Sequence, residues 1–322
     1  MLSAIPDRET IDIALGLAVR APSVHNTQPW RWRPTATGIQ LFADTGRHLT
    51  ATDPFQRSLI ISCGAALHHL RIGLAALNWS TSVDYCPDPT DPSHLATVHT
   101  TRQRPSDTQI EQAAAILLRR TDRRRYLTQP VPAGHIRSLA GRVSAFGAAV
   151  RQVPDLLLPH LADPMRRAAT LHTTDRDYQA EIARWSGPDR ATDGVPSRNA
   201  PAPRRVGEIP VRSFAQPTLI DTIDQPDGAQ WLVVGTPRDD RRAQVRAGEA
   251  ISALLLTATG LGLATSLQTE PLGVLDARQE IRTRLLHDCA YPQAMVRVGW
   301  SAGHAAPLAE TPRRPVQEVL EV

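Results

Sequence analysis

Cysteine is scarce: Cys63, Cys86 and Cys289 are the three in 322 residues, and none forms a CxxC pair. That spacing suggests neither a disulfide scaffold nor a thiol zinc site, and it fits a reduced, cytoplasmic compartment. There is no HExxH, so no metal set is expected. No GxGxxG lies between a strand and a helix and there is no P-loop, so a dinucleotide-binding fold is unsupported. Long basic blocks, zinc-finger spacings and basic-helix patterns are absent as well, so nucleic-acid binding lacks the coherent basic face it needs. The opening M-L-S-A-I-P-D-R-E-T has no basic region followed by a long apolar run, and reads as no signal peptide. The most apolar helix carries Arg57, His68, His69 and Arg71, which marks a buried helix of a soluble protein, with no membrane partner expected.

What is present suits a large soluble globular protein. Hydrophobic residues make up 41% and charged residues 21% of the chain, enough to bury one large core or two. The net charge of +4 favours anionic ligands in general.

The stretch Arg20–Arg33, R-A-P-S-V-H-N-T-Q-P-W-R-W-R, organises the rest. An amphipathic helix, Thr10–Val19, runs into Pro22, which stops it. Ser23, His25, Asn26 and Gln28 follow within a few residues. Trp30 and Trp32 then alternate with arginines as in a strand. A helix end, a polar turn and a strand entry in succession make a ligand-holding corner. Read from the residues alone, it is equally an ordinary connection capped by Ser23 and Asn26.

Strands are expected at Trp30–Arg33 and Ile39–Phe42, and a long small-residue helix from Asp53-Pro54 to about Trp79. Leu95–Thr101 reads as a strand returning to the first sheet. A boundary near residue 105 divides the chain into halves, 1–105 and 106–322. Helices are expected from Pro105–Asp107 to Arg119 and from Pro132 to Phe146. Asp163–Trp185 is polar but helical, and Ser186–Arg212 is irregular, which together suggest a lid-like insertion at about 163–212, with disorder of the irregular stretch as the alternative. Further elements are a core strand Trp231–Gly235, a helix Arg242–Thr259, an extended segment Leu261–Thr265, a helix capped by Asp276, and a strand Ala294–Val298. The alanine-rich stretches from Cys63 and from Gly248, each within a long helix, share a character that suggests duplication.

Arg119–Tyr126, R-R-T-D-R-R-R-Y, packs five arginines into seven residues. It reads as a phosphate site or as a solvated turn, and the residues leave both open. With Gln268, Thr269, Arg313 and Arg314, amides and hydroxyls on one side and arginines on another suit a ligand with a polar heterocycle and a phosphate. Flavin mononucleotide has that shape.

Ala21–Trp32 resembles the Pro-Ser-x-x-Asn-x-Gln-Pro-Trp signature of the FMN-dependent nitroreductase family. Arg119–Tyr126 resembles its Arg-Arg-Ser-x-Arg signature, with Thr121 for serine, and Thr311–Pro315 is similar to its last phosphate-binding segment. The order of the two signatures is reversed relative to an ordinary member. It is similar to that of the tandem, dormancy-associated (Acg-like) proteins of actinobacteria, whose Asp-Gly-x-Pro loop matches Asp193–Pro196. The resemblance implies an α+β nitroreductase-like fold duplicated in one chain, with two antiparallel-rich sheets, long central helices and a pseudo-twofold.

It also implies one FMN, NAD(P)H as reductant and a small aromatic acceptor. Arg120, Thr121 and Arg123 would serve the phosphate or flavin edge, with Arg124 able to replace Arg123. Arg313 or Arg314 would complete the clamp. Ser23, Asn26 and Gln28 would hold ring and ribityl chain, and Gln268 and Thr269 would lie near the reactive nitrogen. No catalytic acid–base residue is expected. The chain would be a monomer mimicking a dimer, or a homodimer. The rival is an FMN-sequestering protein whose lid covers the ring.

Overall fold

The computed structural model describes residues 5–188, 191–204, 207–303 and 305–321; parts of the expected insertion, 189–190 and 205–206, lie outside them. In the first half, α1 (Arg8–Ala18) is capped by Asp7, whose carboxylate accepts from Thr10 N. Then come β1 (Trp30–Thr35), β2 (Gly38–Ala43), α2 (Arg57–Ala76), β3 (Trp79–Tyr85) and β4 (His94–Arg102). Trp30 and Trp32 of β1 are fully buried while Arg31 and Arg33 face outward, the period-two pattern of a half-buried strand.

The later part holds α3 (Asp107–Leu118), α4 (Ala133–Ser144), β5 (Ala149–Val153), α5 (Leu158–Thr174) and α6 (Arg176–Trp185). The two-residue strands β6 (Ser186–Gly187) and β7 (Val195–Pro196) follow, then β8 (Gln230–Thr236), α7 (Arg241–Gly260), β9 (Ala264–Gln268), α8 (Leu275–Leu286), β10 (Tyr291–Gly299) and α9 (Val316–Val319).

The sheets show the duplication directly. The first is ordered β1-β2-β4-β3 and the second β5-β8-β10-β9. Counted along the chain, both read first, second, fourth, third, and all pairings in both are antiparallel. In each, a twenty-residue helix leaves the second strand and enters the third: α2 in one, α7 in the other. The two helices pack against each other at the centre, so the sheets are related by a pseudo-twofold, the expected α+β architecture. By length and composition α2 could cross a membrane, but it is buried inside the fold.

Several expected boundaries move. The long helix begins at Arg57, with Gln56 in the left-handed region at φ 58° as its cap residue. Asp53 still serves the helix end, because its carboxylate accepts from Leu59 N at 2.9 Å. The helix ends at Ala76, and Trp79 starts the edge strand β3. Asp163–Trp185 is not one helix: α5 and α6 meet at Asp175, whose side chain caps the second. Asp276 lies in the first turn of α8, and the cap residue is Val274.

The C-terminal tail crosses back to the first half. Glu321 N donates to Trp32 O at 2.8 Å, and the Glu321 carboxylate pairs with Arg31 and Arg33 on the edge strand β1. This return carries Thr311–Pro315 past the corner that follows α1.

Candidate functional site

The corner is held in an unusual backbone. His25, Asn26 and Gln28 have φ of 46°, 54° and 51°, a region costly for side chains other than glycine. Ser23 closes the turn by accepting from Gln28 N at 2.9 Å. Asn26 Nδ2 donates to Gly194 O at 3.0 Å and Pro312 O at 2.9 Å. Gln28 Nε2 donates to Thr192 O at 2.9 Å, and its Oε1 accepts from Arg314 N at 2.8 Å. The two amides thus tie the loop at 192–194 and the C-terminal tail to the corner. Below, Ser62 of α2 accepts from Val24 N at 3.1 Å and fixes the corner to the central helix.

Two cavities meet here. The larger, about 550 Å³, is lined by Ser23, Asn26, Arg120, Thr121, Arg123, Arg313 and Arg314, and by Arg20, Arg119 and Arg198. The narrower, about 80 Å³, is bounded by Ile61 and Ala65 of α2, Ile251 of α7, and Gln268 and Thr269 at the end of β9. Pro22, Ser23, Thr121 and Arg123 border both. All the expected site residues except Gln28 therefore line one cavity or the other. Gln28 is fully buried beneath the corner.

The arginine run divides its labour. Arg124 is forked onto Asp122 at 2.9 and 2.8 Å, and Arg125 pairs with Glu208 at 2.9 Å and Asp221 at 3.1 Å. Both are committed elsewhere, so Arg123 and not Arg124 faces the cavities. Arg120 meets Glu310 at 2.6 Å. Arg119, Arg123 and Arg313 have no carboxylate within 4.0 Å among the described residues. Burial, and then Arg120 and Arg123, hold Arg119 down to about 10. Burial and Arg119 hold Arg313 down to about 9. The Nε atoms of Arg119 and Arg313 are buried without a partner. These groups suit an anion.

Arg212 and Phe214, from the segment after β7, border the narrow cavity. Arg212 donates to His25 Nε2. A guanidinium cannot accept, so this bond places the neutral ring's proton on Nδ1. Burial first, then Arg212, keep His25 well below its usual range. Among the described residues, His25 Nδ1 is buried without a partner. Phe214 meets the His25 ring edge-on at 5.6 Å, and Arg123 lies 4.9 Å above the Phe214 ring.

Arg119, His25, Arg212 and Phe214 are the site residues that the sequence-based assignment does not reach. Arg119 is the first residue of the Arg-Arg-Thr-x-Arg signature, so the motif itself contained the signal.

No protein-family model matches the chain. The Mycobacterium tuberculosis H37Rv protein named "Putative NAD(P)H nitroreductase Rv3131" is 45% identical over 324 aligned positions, which cover 100% of this chain and 94% of that one. The protein of the same strain named "Putative NAD(P)H nitroreductase acg" is 35% identical, over 98% of this chain and 96% of its own. The chain belongs to this nitroreductase-like family, in its tandem, Acg-type form. Among solved structures, the FMN-dependent nitroreductase NfnB from Mycobacterium smegmatis in complex with NADPH is 15% identical, covering 66% of this chain and 97% of its own at a TM-score of 0.42. The family assignment rests on the sequence relatives.

Proposed function

We propose that the chain binds one FMN across the two joined cavities and passes electrons from NAD(P)H to a nitroaromatic or quinone. The observation that carries this reading is the trio Arg119, Arg123 and Arg313, three guanidinium groups on one cavity with no carboxylate beside them among the described residues. Guanidinium forks match phosphate oxygens, and the narrower, more apolar cavity continues from the phosphate end. Arg119, Arg120, Thr121, Arg123 and Arg313 would hold the phosphate. Ser23, Gln268, Thr269 and the donor at His25 Nδ1 would surround the ring, while Asn26, Gln28 and Arg314 keep corner and tail in place. The flavin, when bound, supplies hydride acceptance and donation at N5. The protein binds, orients and excludes water, without a dedicated acid or base. A ping-pong order follows, since reductant and acceptor need the same ring face. With 1–105 and 106–322 read as the two halves, the packing of α2 against α7 within one chain favours a monomer.

A second reading, sequestration of FMN, is favoured by Arg212 and Phe214. They leave about 80 Å³ at the ring end, where small-molecule sites usually offer roughly 300–1,000 Å³. An absorbance spectrum of the purified protein, repeated anaerobically with NADPH and with NADH, separates the two. Flavin bands bleached by either nucleotide support the reductase. Bands that persist with both and vanish with dithionite support sequestration. No flavin after reconstitution with FMN overturns both.

A further inference from the structure

The large cavity carries more positive charge than one flavin phosphate answers. Among the described residues, seven arginines and one glutamate line it. Arg314 is matched by Glu318 at 3.5 Å and Asp44 at 3.8 Å. Glu310 serves both Arg120, at 2.6 Å, and Arg20, at 3.5 Å. Arg119, Arg123, Arg198 and Arg313 have no carboxylate within 4.0 Å among the described residues. A phosphate monoester brings about −1.5 to −2 at neutral pH, so roughly three positive charges stay unanswered once it binds. Buried arginine nitrogens without partners, at Arg119 and Arg313, line the same space.

We propose that the large cavity seats a second phosphorylated ribonucleotide beside the flavin phosphate, with Arg198 and Arg20 as its outer clamp. Arg198 is exposed and Arg20 half-buried, so both remain accessible when the inner trio is engaged. This inference rests on the flavin reading. Two sources share the chemistry: the 2′-phosphate end of NADPH, which would make the protein prefer NADPH to NADH, and a free nucleoside diphosphate.

The test is isothermal titration of the FMN-loaded full-length protein with 2′,5′-ADP, ADP and adenosine, with retained flavin followed by fluorescence. Both anionic probes are expected to bind at least tenfold tighter than adenosine, with affinity falling as salt rises. Arg198→Ala should weaken the probes at least fivefold and leave FMN affinity unchanged. Tighter binding of 2′,5′-ADP than of ADP assigns the site to NADPH, and the reverse order to a nucleoside diphosphate. Adenosine-like binding of both probes, or release of FMN by either, overturns the second site. A protein that takes up no FMN yet binds 2′,5′-ADP overturns the flavin reading and, with it, the claim of a second nucleotide.

Discussion

Gly64 and Gly248 face each other where the two central helices cross, and each leaves room for the other helix's backbone. A Cβ on Gly64 would lie 2.0 Å from Val245 O, and one on Gly248 would lie 2.1 Å from Ile61 O. Val245 and Ile61 each precede a crossing glycine by three residues, so the contact is reciprocal, as in an isologous dimer interface. One turn on, His68 Nδ1 meets Ser252 Oγ at 2.9 Å, again an equivalent pair. Gly64→Ala must push two backbones apart, and should cost about 3 kcal/mol or more of unfolding free energy. Gly141→Ala is the control: it is exposed on α4 with nothing within 4 Å of its Cβ. That change should be stabilising by roughly 0.5–1 kcal/mol. Urea titration of the two variants checks both signs.

The inner arginines oppose folding and favour ligand binding. Arg119→Met removes a buried cation that has no carboxylate beside it among the described residues, so the apo protein should become about 1 kcal/mol or more stabler. The same change should weaken FMN at least tenfold, since hydrogen bonds to charged groups contribute about 1.5–3 kcal/mol. Arg124→Met should do the reverse, destabilising the fold through the orphaned Asp122 and leaving FMN affinity within about threefold. Melting temperature without ligand and flavin fluorescence titration separate the two patterns.

How much of this was legible in the sequence follows from burial. The Pro22–Trp30 and Arg119–Arg123 signatures were readable because their residue types and spacing survive together. β3 and β5 were not. Both are edge strands, and W-S-T-S-V-D-Y and A-V-R-Q-V bury little beyond Trp79 and Val153, so hardly any alternation exists to read. Apart from the family resemblance, the duplication was hinted at only by two helices, because what the halves share is strand order and a glycine crossing. His25 read as one polar residue among four, and its pairing with Arg212 joins positions 187 residues apart. Nothing local to Arg212 or Phe214 marks them as the cover of the narrow cavity.

Acid should destabilise this fold early. Burial, then Arg71, lower His68 to about 3. Burial also holds His25 and His69 well down, aided by Arg212 and Arg119 respectively. All three are neutral in the fold and titrate near 6.5 when unfolded. While a ring stays neutral in the fold below pH 6.5 the unfolded state binds more protons, so stability is full above pH 6.5 and falls as pH drops below it. A ring held neutral in this way contributes about 1.4 kcal/mol per pH unit. Urea midpoints at pH 7.5 and pH 5 should differ accordingly, and His68→Gln should flatten the dependence by about one third. A midpoint constant between the two pH values would show that these rings are solvated.

The cover over the ring cavity should behave as a removable part. Phe214 and Arg212 reach His25 from the stretch 207–229, which has no strand or helix of its own, and they contact it through one ring edge and one hydrogen bond. Removing Phe214 also frees Arg123, which lies over its ring, so phosphate binding should strengthen or stay level. In the double variant Arg212→Ala/Phe214→Ala the narrow cavity opens and His25 loses both neighbours. If the cover limits access, anaerobic stopped-flow reduction of bound FMN by NADPH should accelerate at least tenfold, with FMN affinity within about threefold of the parent. Unchanged reduction rates with FMN still bound would mean that the ring face is already open, and the sequestration reading would lose the contact on which it stands.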